Sequence, residues 1–272
     1  MNADKLMKVE VVATKGLNKY SRSLRFKFVD KNDVKEFGFV PGQFLMVSVP
    51  GYGESALSIT TSPSELPELE IAVKTVGNNT MALNRLNVGD TAYVRGPLGN
   101  GAPQNEIIGR QLILIAGGIG LVPLRSLIHT IRDDRTIVGK LTIVYGAKTP
   151  EDLVCKDELG KWTDFAEVHL TVDKADSGWR GETGNIVDLV KTLTIEKDAV
   201  AIVCGPPVIY KSIAKVLTDK GQSPESIEFM LERRMKCGIG KCQHCTCGDK
   251  YVCTDGPNFK WSDIQDNWEA LV

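Results

Sequence analysis

The sequence predicts an N-terminal antiparallel β-barrel, then an open parallel α/β sheet, then a small C-terminal segment that gathers thiols. Three observations carry this. The first hundred residues alternate apolar and polar positions between Gly, Pro and Asn punctuation. After residue 104 the strands become continuous apolar runs separated by stretches with helical spacing. Five of the seven cysteines fall in the nineteen residues "MKCGIGKCQHCTCGDKYVC", Met235 to Cys253.

The barrel rests on "LRFKFVD" (Leu24–Asp30), "GQFLMVSVP" (Gly42–Pro50), "LEIAVKTV" (Leu69–Val76) and "TAYVRG" (Thr91–Gly96), each alternating or β-branched. Between them stand "PGYG", "GNN" and "GPLGNG", the last marking a boundary. "QLILIAGG", "KLTIVYGA", "AEVHLTVD" and "AVAIVCGPP" then read as buried parallel strands, apolar on both faces. Helical spacing follows in "VPLRSLIHTIRD", "NIVDLVKTL" and "VIYKSIAKVLTDKG". Strands alternating with helices give an open α/β sheet. The expected domains are 1–103, 104–228 and 229–272, the last holding the cysteines and the tail "FKWSDIQDNWEALV".

Composition bounds the function. A chain of 272 residues has room for about two domains. A net charge of −1 lacks the basic excess of a nucleic-acid binder. No apolar run reaches membrane-spanning length, and "MNADKLMKVEVV" has no apolar secretory core, so a cytoplasmic location is expected. In that reducing compartment an odd number of cysteines argues against disulfides.

Two strand ends in the α/β part carry glycine. Gly117, Gly118 and Gly120 stand between "LILIA" and a helix, a place where free N–H groups and small residues suit a pyrophosphate. The spacing is not G-x-G-x-x-G, and a structural turn explains it equally well. "CGPP" (Cys204–Pro207) ends a second strand, and ligands of open sheets sit at such ends. Cys155 reads as structural, as do His129 and His169. In the barrel, Ser58, Thr60 and Thr61 end an apolar run and can hydrogen-bond a planar heteroaromatic ligand. "GNNT" precedes the short helical run "MALNRL", with Thr80 near its cap; this is a second candidate phosphate site or a plain capped helix.

Cys237, Cys242 and Cys245 have the spacing C-x4-C-x2-C of plant-type 2Fe–2S sites, which take a fourth cysteine further on. Cys253 and Cys247 are the candidates; Cys253 is favoured because Cys247 stands too close to Cys245 for a separate corner. The glycines of "CGIGKC" let backbone N–H groups turn toward sulfur. Structural zinc is the rival, although zinc sites usually show two separated C-x2–4-C pairs. His244 is expected to be a bystander.

In order along the chain, "PGQF", "GDTAYVRGPLGNG", "IAGGIGLVPLRSL", "YGAKTPEDL", "CGPP" and "LERRMKCGIGKCQHC" resemble the ferredoxin–NADP reductase-like flavoproteins, within their iron–sulfur branch. That branch includes the electron-transfer subunit of dihydroorotate dehydrogenase B, the small subunit of NADH-dependent ferredoxin:NADP oxidoreductase and the gamma subunit of cytoplasmic nickel–iron (sulf)hydrogenases. The cysteine stretch looks most like the last. The resemblance implies FAD in the barrel, NAD(H) or NADP(H) in the α/β domain and a 2Fe–2S cluster on Cys237, Cys242, Cys245 and Cys253. Leu57, Ser58, Ile59 and Thr60 then lie along the isoalloxazine. Val73, Lys74, Gly77, Asn78 and Thr80 hold the ribityl chain and pyrophosphate. Gly117, Gly118 and Gly120 take the nicotinamide cofactor's pyrophosphate, and Cys204, Gly205 and Pro206 approach the nicotinamide. Ser58, Thr60 and Cys204 are expected nearest the reacting atoms. One departure stands out: where the family often has R-x-Y-[ST], this chain has Ser55–Ala56–Leu57–Ser58, with neither arginine nor aromatic.

The implied role is an electron-transfer (diaphorase) subunit, with hydride moving between NAD(P)H and flavin and single electrons between cluster and partner. The expected partner is another redox subunit, hydrogenase-type or similar, or ferredoxin; no nucleic acid and no membrane span are expected. A self-contained NAD(P)H:ferredoxin reductase and a zinc-stapled nucleotide-binding module are the alternatives. Trp261, Ile264 and Trp268 have roughly helical spacing and are expected to pack on the chain's own cluster domain rather than on a partner. After the second α/β strand no arginine awaits a 2′-phosphate and Lys148 is the available cation. The expectation tilts to NAD(H): rates with NADH should exceed those with NADPH, and comparing the two cofactors at equal concentration checks it.

Overall fold

The computed structural model describes residues 4–266. By internal contacts the chain forms two compact units: residues up to 102 with 125–130 and 232–257, and residues 103–124 with 131–231 and those from 258 on.

In the first unit, β1 (Met7–Asn18), β2 (Ser21–Phe28), β3 (Phe44–Ser48), β4 (Glu54–Ser58), β5 (Glu68–Lys74) and β6 (Thr91–Leu98) form one antiparallel sheet in the order β4-β3-β6-β1-β2-β5. Just past β4 the two edges meet. Ile59 bridges Ile71, and Thr60 N–H donates to Glu70 O at 2.9 Å. The sheet therefore curls shut as a barrel and leaves few open edges. Strand β1 was not anticipated from the sequence, although it alternates Met7, Val9 and Val11 inward with Lys8 and Glu10 outward. Its core partners include Leu24, Phe26, Leu45, Ile71 and Val94, all fully buried. Each such side chain contributes about 1.5–3 kcal/mol over leaving it in water. Helices α1 (Lys31–Glu36) and α2 (Asn78–Asn84) sit in the connections. Asn79 fixes α2: it accepts from Val49 N–H at 3.1 Å and donates to Val47 O and Ser55 Oγ, both at 2.9 Å.

The second unit carries β7 (Gln111–Gly117), α3 (Leu121–Asp133), β8 (Lys140–Ala147), α4 (Lys156–Trp162), β9 (Glu167–Val172), β10 (Glu182–Thr183), α5 (Ile186–Thr192), β11 (Val200–Cys204), α6 (Pro207–Asp219) and β12 (Ile227–Met230). The sheet order is β10-β9-β8-β7-β11-β12, all parallel. Every residue of β7 and β11 is buried, as their apolar runs predict. The chain leaves β7 to one side through β8 and β9, then returns to the other side at β11. The switch point thus lies between the C-terminal ends of β7 and β11.

Residues 125–130, the middle of α3, group with the first unit. Arg125 Nη1 donates to Glu70 Oε1 at 2.6 Å and to Thr60 Oγ1 at 3.2 Å. Ser126 Oγ donates to Thr61 O at 2.6 Å. Arg25 reaches Glu65, Glu68 and Glu70 within 3.3 Å, and His129 Nδ1 lies 3.2 Å from Glu65. Burial works against the Glu65 charge, but the His129 and Ser62 hydrogen bonds and the Arg25 charge outweigh it and hold the carboxyl at about 2. His129 is therefore structural, as expected, and no sequence pattern announced the network.

The cysteine lobe contains only a short hairpin, β13 (Thr246–Cys247) with β14 (Lys250–Tyr251). The C-terminal residues then leave it: β15 (Asn258–Lys260) pairs antiparallel with β12, and α7 (Trp261–Ile264) follows. By contact, residues 232–257 group with the first unit and the described residues from 258 on with the second. Trp261 stacks edge-on against Phe229 of β12 at 5.4 Å and Ile264 is buried, so these two residues group with the α/β sheet rather than with the cysteine lobe as expected. The reason is strand addition: β15 completes the open edge of β12. Trp268 lies outside the described residues.

Glu228 on β12 is buried, and burial followed by the nearby Glu106 charge raises its carboxyl from 4.5 to about 7. A folded form that binds this proton more tightly than the unfolded chain loses stability as pH climbs from 4.5 through 7. The full cost, reached by about pH 8, is on the order of 3 kcal/mol. Glu228→Gln should therefore raise the thermal midpoint at pH 8 and leave it nearly unchanged at pH 5; equal shifts at both pH values would contradict this assignment.

Candidate functional site

The switch-point crevice is built by backbone contact. A Cβ on Gly120 would stand 2.3 Å from Cys204 O, and one on Gly117 would stand 2.9 Å from Pro206 Cδ. These two glycines let the β7 turn and the β11 turn touch, which is the structural role that the sequence left open. Gly118 differs. Its φ is +56° and nothing lies within 4 Å of its absent side chain, so it faces open space just ahead of α3. The 13-residue α3 starts directly from this turn, with Leu121 N–H donating to Ile119 O. Gly205 N–H is already given to Tyr210 Oη at 3.1 Å, and Tyr210 in turn donates to Met230 O at 2.9 Å. Tyr210 thus pins the "CGPP" turn, a role no motif revealed. The Cys204 side chain is buried at the strand end, and Lys148 is exposed just past β8 on the same sheet edge.

In the barrel the expected ring-binding residues separate by direction. Ile59 and Val73 are fully buried in the core, so their side chains face away from any ligand. Thr60 is also buried. Its hydroxyl donates to Glu70 O at 3.1 Å and accepts from Arg125, so it has no spare proton for a bound ring. Leu57 and Ser58, half-buried on β4, keep accessible surface. Thr80 is not the helix cap but the third helical residue. Its hydroxyl accepts from Val76 N–H at 3.0 Å and Gly77 N–H at 2.9 Å, folding the loop back on α2. The first intrahelical bond runs from Met81 N–H to Gly77 O at 2.8 Å. The N–H groups of Asn78 and Asn79 precede it, and exposed Lys74, Gly77 and Asn78 surround them, a set that suits a phosphate.

The four expected cysteine ligands come together as two pairs. The Cys237 thiol is hydrogen-bonded with Cys242, and the Cys253 thiol with Cys245. Backbone donors surround them: Ile239 and Cys242 N–H reach Cys237 Sγ at 3.5 and 3.4 Å, and Gly240 N–H reaches Cys253 Sγ at 3.1 Å. Burial opposes the Cys237 thiolate, yet these amides bring its pKa down to about 7. Burial and the hydrogen bond that the Cys253 thiol donates to Cys245 push Cys253 up to about 12. Cys247 is buried on β13, with no hydrogen bond to the other thiols, and burial raises it too. His244 is exposed. Two thiol pairs ringed by N–H donors suit an iron–sulfur cluster. Among the described residues no three such side chains are placed to hold a single ion.

A barrel, a doubly wound sheet with its glycine turn at the switch point, and a thiol lobe together define a ferredoxin reductase-type architecture with an appended iron–sulfur segment. Comparison with known proteins agrees. Residues 8–102 match an oxidoreductase FAD-binding domain, residues 114–215 an oxidoreductase NAD-binding domain, and residues 232–265 the iron–sulfur cluster binding domain of dihydroorotate dehydrogenase B. The chain is 38% identical to the sulfhydrogenase 1 subunit gamma of Pyrococcus furiosus, over 95% of its own length and 92% of that chain. It is 35% identical to the "Probable dihydroorotate dehydrogenase B (NAD(+)), electron transfer subunit" of Thermoplasma volcanium, over 85% and 83%. In fold it is similar to a chain of the NADH-dependent reduced ferredoxin-NADP oxidoreductase structure, with a TM-score of 0.72 at 24% identity, covering 98% of this chain and 94% of that one. The chain belongs to the iron–sulfur flavoprotein oxidoreductase family that contains the sulfhydrogenase gamma and dihydroorotate dehydrogenase B electron-transfer subunits.

Cys253→Ser should lose most of its bound iron while Cys247→Ser keeps a wild-type amount, measured as iron per chain after anaerobic purification. The reverse result would move the fourth ligand to Cys247.

Proposed function

We propose that this chain is an NAD(P)H-linked electron-transfer subunit holding FAD and a 2Fe–2S cluster, and that it serves a partner redox subunit of a hydrogenase-type or similar complex. The single observation that carries the cluster type is the arrangement of Cys237 with Cys242 and Cys245 with Cys253 as two pairs. The relatives named above are gamma or electron-transfer subunits, which supports a partner subunit rather than a self-contained NAD(P)H:ferredoxin reductase. Among the described residues no helix is long and apolar enough to cross a membrane. Seven free cysteines suit work in the reducing cytoplasm.

FAD, when bound, exchanges a hydride with the nicotinamide cofactor and exchanges single electrons with the cluster. The residues supply position. Ser58 offers the outer face of β4 to the ring, its hydroxyl available to the polar edge, and Leu57 packs partly against the barrel core behind it. Ile59, Thr60 and Val73 support that face from behind. Lys74, Gly77 and Asn78 with the start of α2 take the flavin pyrophosphate, and Thr80 shapes that loop. Gly118 admits the nicotinamide cofactor's pyrophosphate, Gly117 and Gly120 shape its turn, and Cys204, Gly205 and Pro206 wall the crevice. Lys148 is the cation nearest a ribose 2′ position, too little for a strong NADP(H) preference, so NAD(H) is favoured.

The test is the visible spectrum with iron, zinc and flavin content of anaerobically purified protein, before and after NADH. Flavin bands and about two irons per chain, both bleached by NADH, are expected. A colourless protein with about one zinc would overturn the proposal in favour of a structural staple.

A further inference from the structure

The Arg95 guanidinium on β6 is largely buried, and its short contacts include the following. Its Nε and Nη2 grip Glu54 Oε1 and Oε2 at 2.9 and 2.6 Å, and Nη2 also donates to Cys237 O at 3.1 Å. Glu54 begins β4, the strand that carries Leu57 and Ser58. The next residue of the lobe, Gly238, has φ +73°, and a Cβ there would stand 2.9 Å from both Leu98 Cδ1 and Met46 Cγ. The Cys237–Gly238 peptide therefore lies flat on β3 and β6 with its carbonyl drawn to Arg95. The chain just beyond turns its Ile239, Gly240 and Cys242 N–H groups to sulfur. A second fastening stands on the Cys253 side. Asn100 N–H donates to Gly256 O at 2.7 Å and its Nδ2 to Asp255 O at 3.0 Å, without charge.

We propose that Arg95, clamped by Glu54, is the positioning residue of the iron–sulfur loop and sets the reduction potential of its cluster through the Cys237 carbonyl. This rests on the iron–sulfur reading above. A bidentate carboxylate fixes the plane of the guanidinium and so aims the second Nη2 N–H at the carbonyl, a geometry lysine cannot supply. The cation also favours the electron-rich, reduced form of the cluster, and the Glu54 carboxylate offsets part of that effect. Removing one partner or the other should therefore move the potential in opposite directions.

The experiment is an EPR-monitored redox titration of anaerobically purified, full-length Arg95→Gln, Glu54→Gln and Asn100→Ala proteins beside wild type, with iron content and thermal midpoint measured. Arg95→Gln should shift the cluster midpoint potential negative and alter the line shape of the reduced spectrum. Glu54→Gln should shift the potential positive. Asn100→Ala should lower the thermal midpoint and leave the potential at its wild-type value. If Arg95→Gln loses its iron, Glu54→Gln decides: a positive shift supports the inference and none overturns it. Iron-replete variants with wild-type potentials sink this inference alone, whereas wild type without iron sinks the iron–sulfur reading and this inference with it.

Discussion

The cysteine lobe depends on strand β6. Residues 232–257 hold only the β13–β14 hairpin, too little apolar material for a core of their own. Segments below roughly 40 residues need a metal, a disulfide or a neighbour to stay folded. All seven cysteines are free thiols, so order comes from the neighbour and from whatever the thiols bind. Strand β6 is a good neighbour because it is hydrogen-bonded on both sides, to β1 and β3, in the middle of the barrel sheet. Its Arg95 and Leu98, with Gly99 and Asn100 beyond its end, contact the lobe near Cys237 and just after Cys253. A rigid strand thus lends geometry to a loop that must hold sulfur atoms in register.

The α/β unit solves a different problem by the same means. Its ligand edge is shaped by the approach of two backbones, Gly120 against Cys204 O, rather than by polar side chains. A side chain at Gly117 or Gly120 would force the two turns apart, whereas Gly118 has open space beside it. Tyr210 keeps the opposing turn in place by bonding Gly205 and Met230. The buried charges around Glu70 and Glu65 serve the barrel in turn. Breaking one partner would strand its mate in a poorly solvated place, so the set of Arg25, Arg125, His129 and their carboxylates enforces one arrangement.

Much of the molecule was readable beforehand because its signals are local. Apolar runs, turn glycines and the C-x4-C-x2-C spacing each depend on neighbours in sequence, and they announced the barrel, the parallel sheet and the thiol-bearing segment. Strand β1 alternates locally too, but Lys8 and Glu10 give its start the charge density of an unstructured terminus. The four-residue β12 was missed because a run of that length carries little periodicity.

The sequence by itself determined the fold class, the order of the three cofactor-binding parts and the thiols that gather. Tertiary structure alone decided which of the expected residues keep a group to offer. Ser58 and Thr60 look alike in sequence, but Arg125 and Glu70 consume the Thr60 hydroxyl while Ser58 stays half-exposed. Gly117 and Gly120 resemble Gly118, but only Gly118 faces open space. Arg95 and Cys237 are 142 positions apart, and no local pattern can announce a hydrogen bond over that distance. Hydrogen-bond capacity is finite and directional, so which donors remain free is known only once the chain has closed on itself.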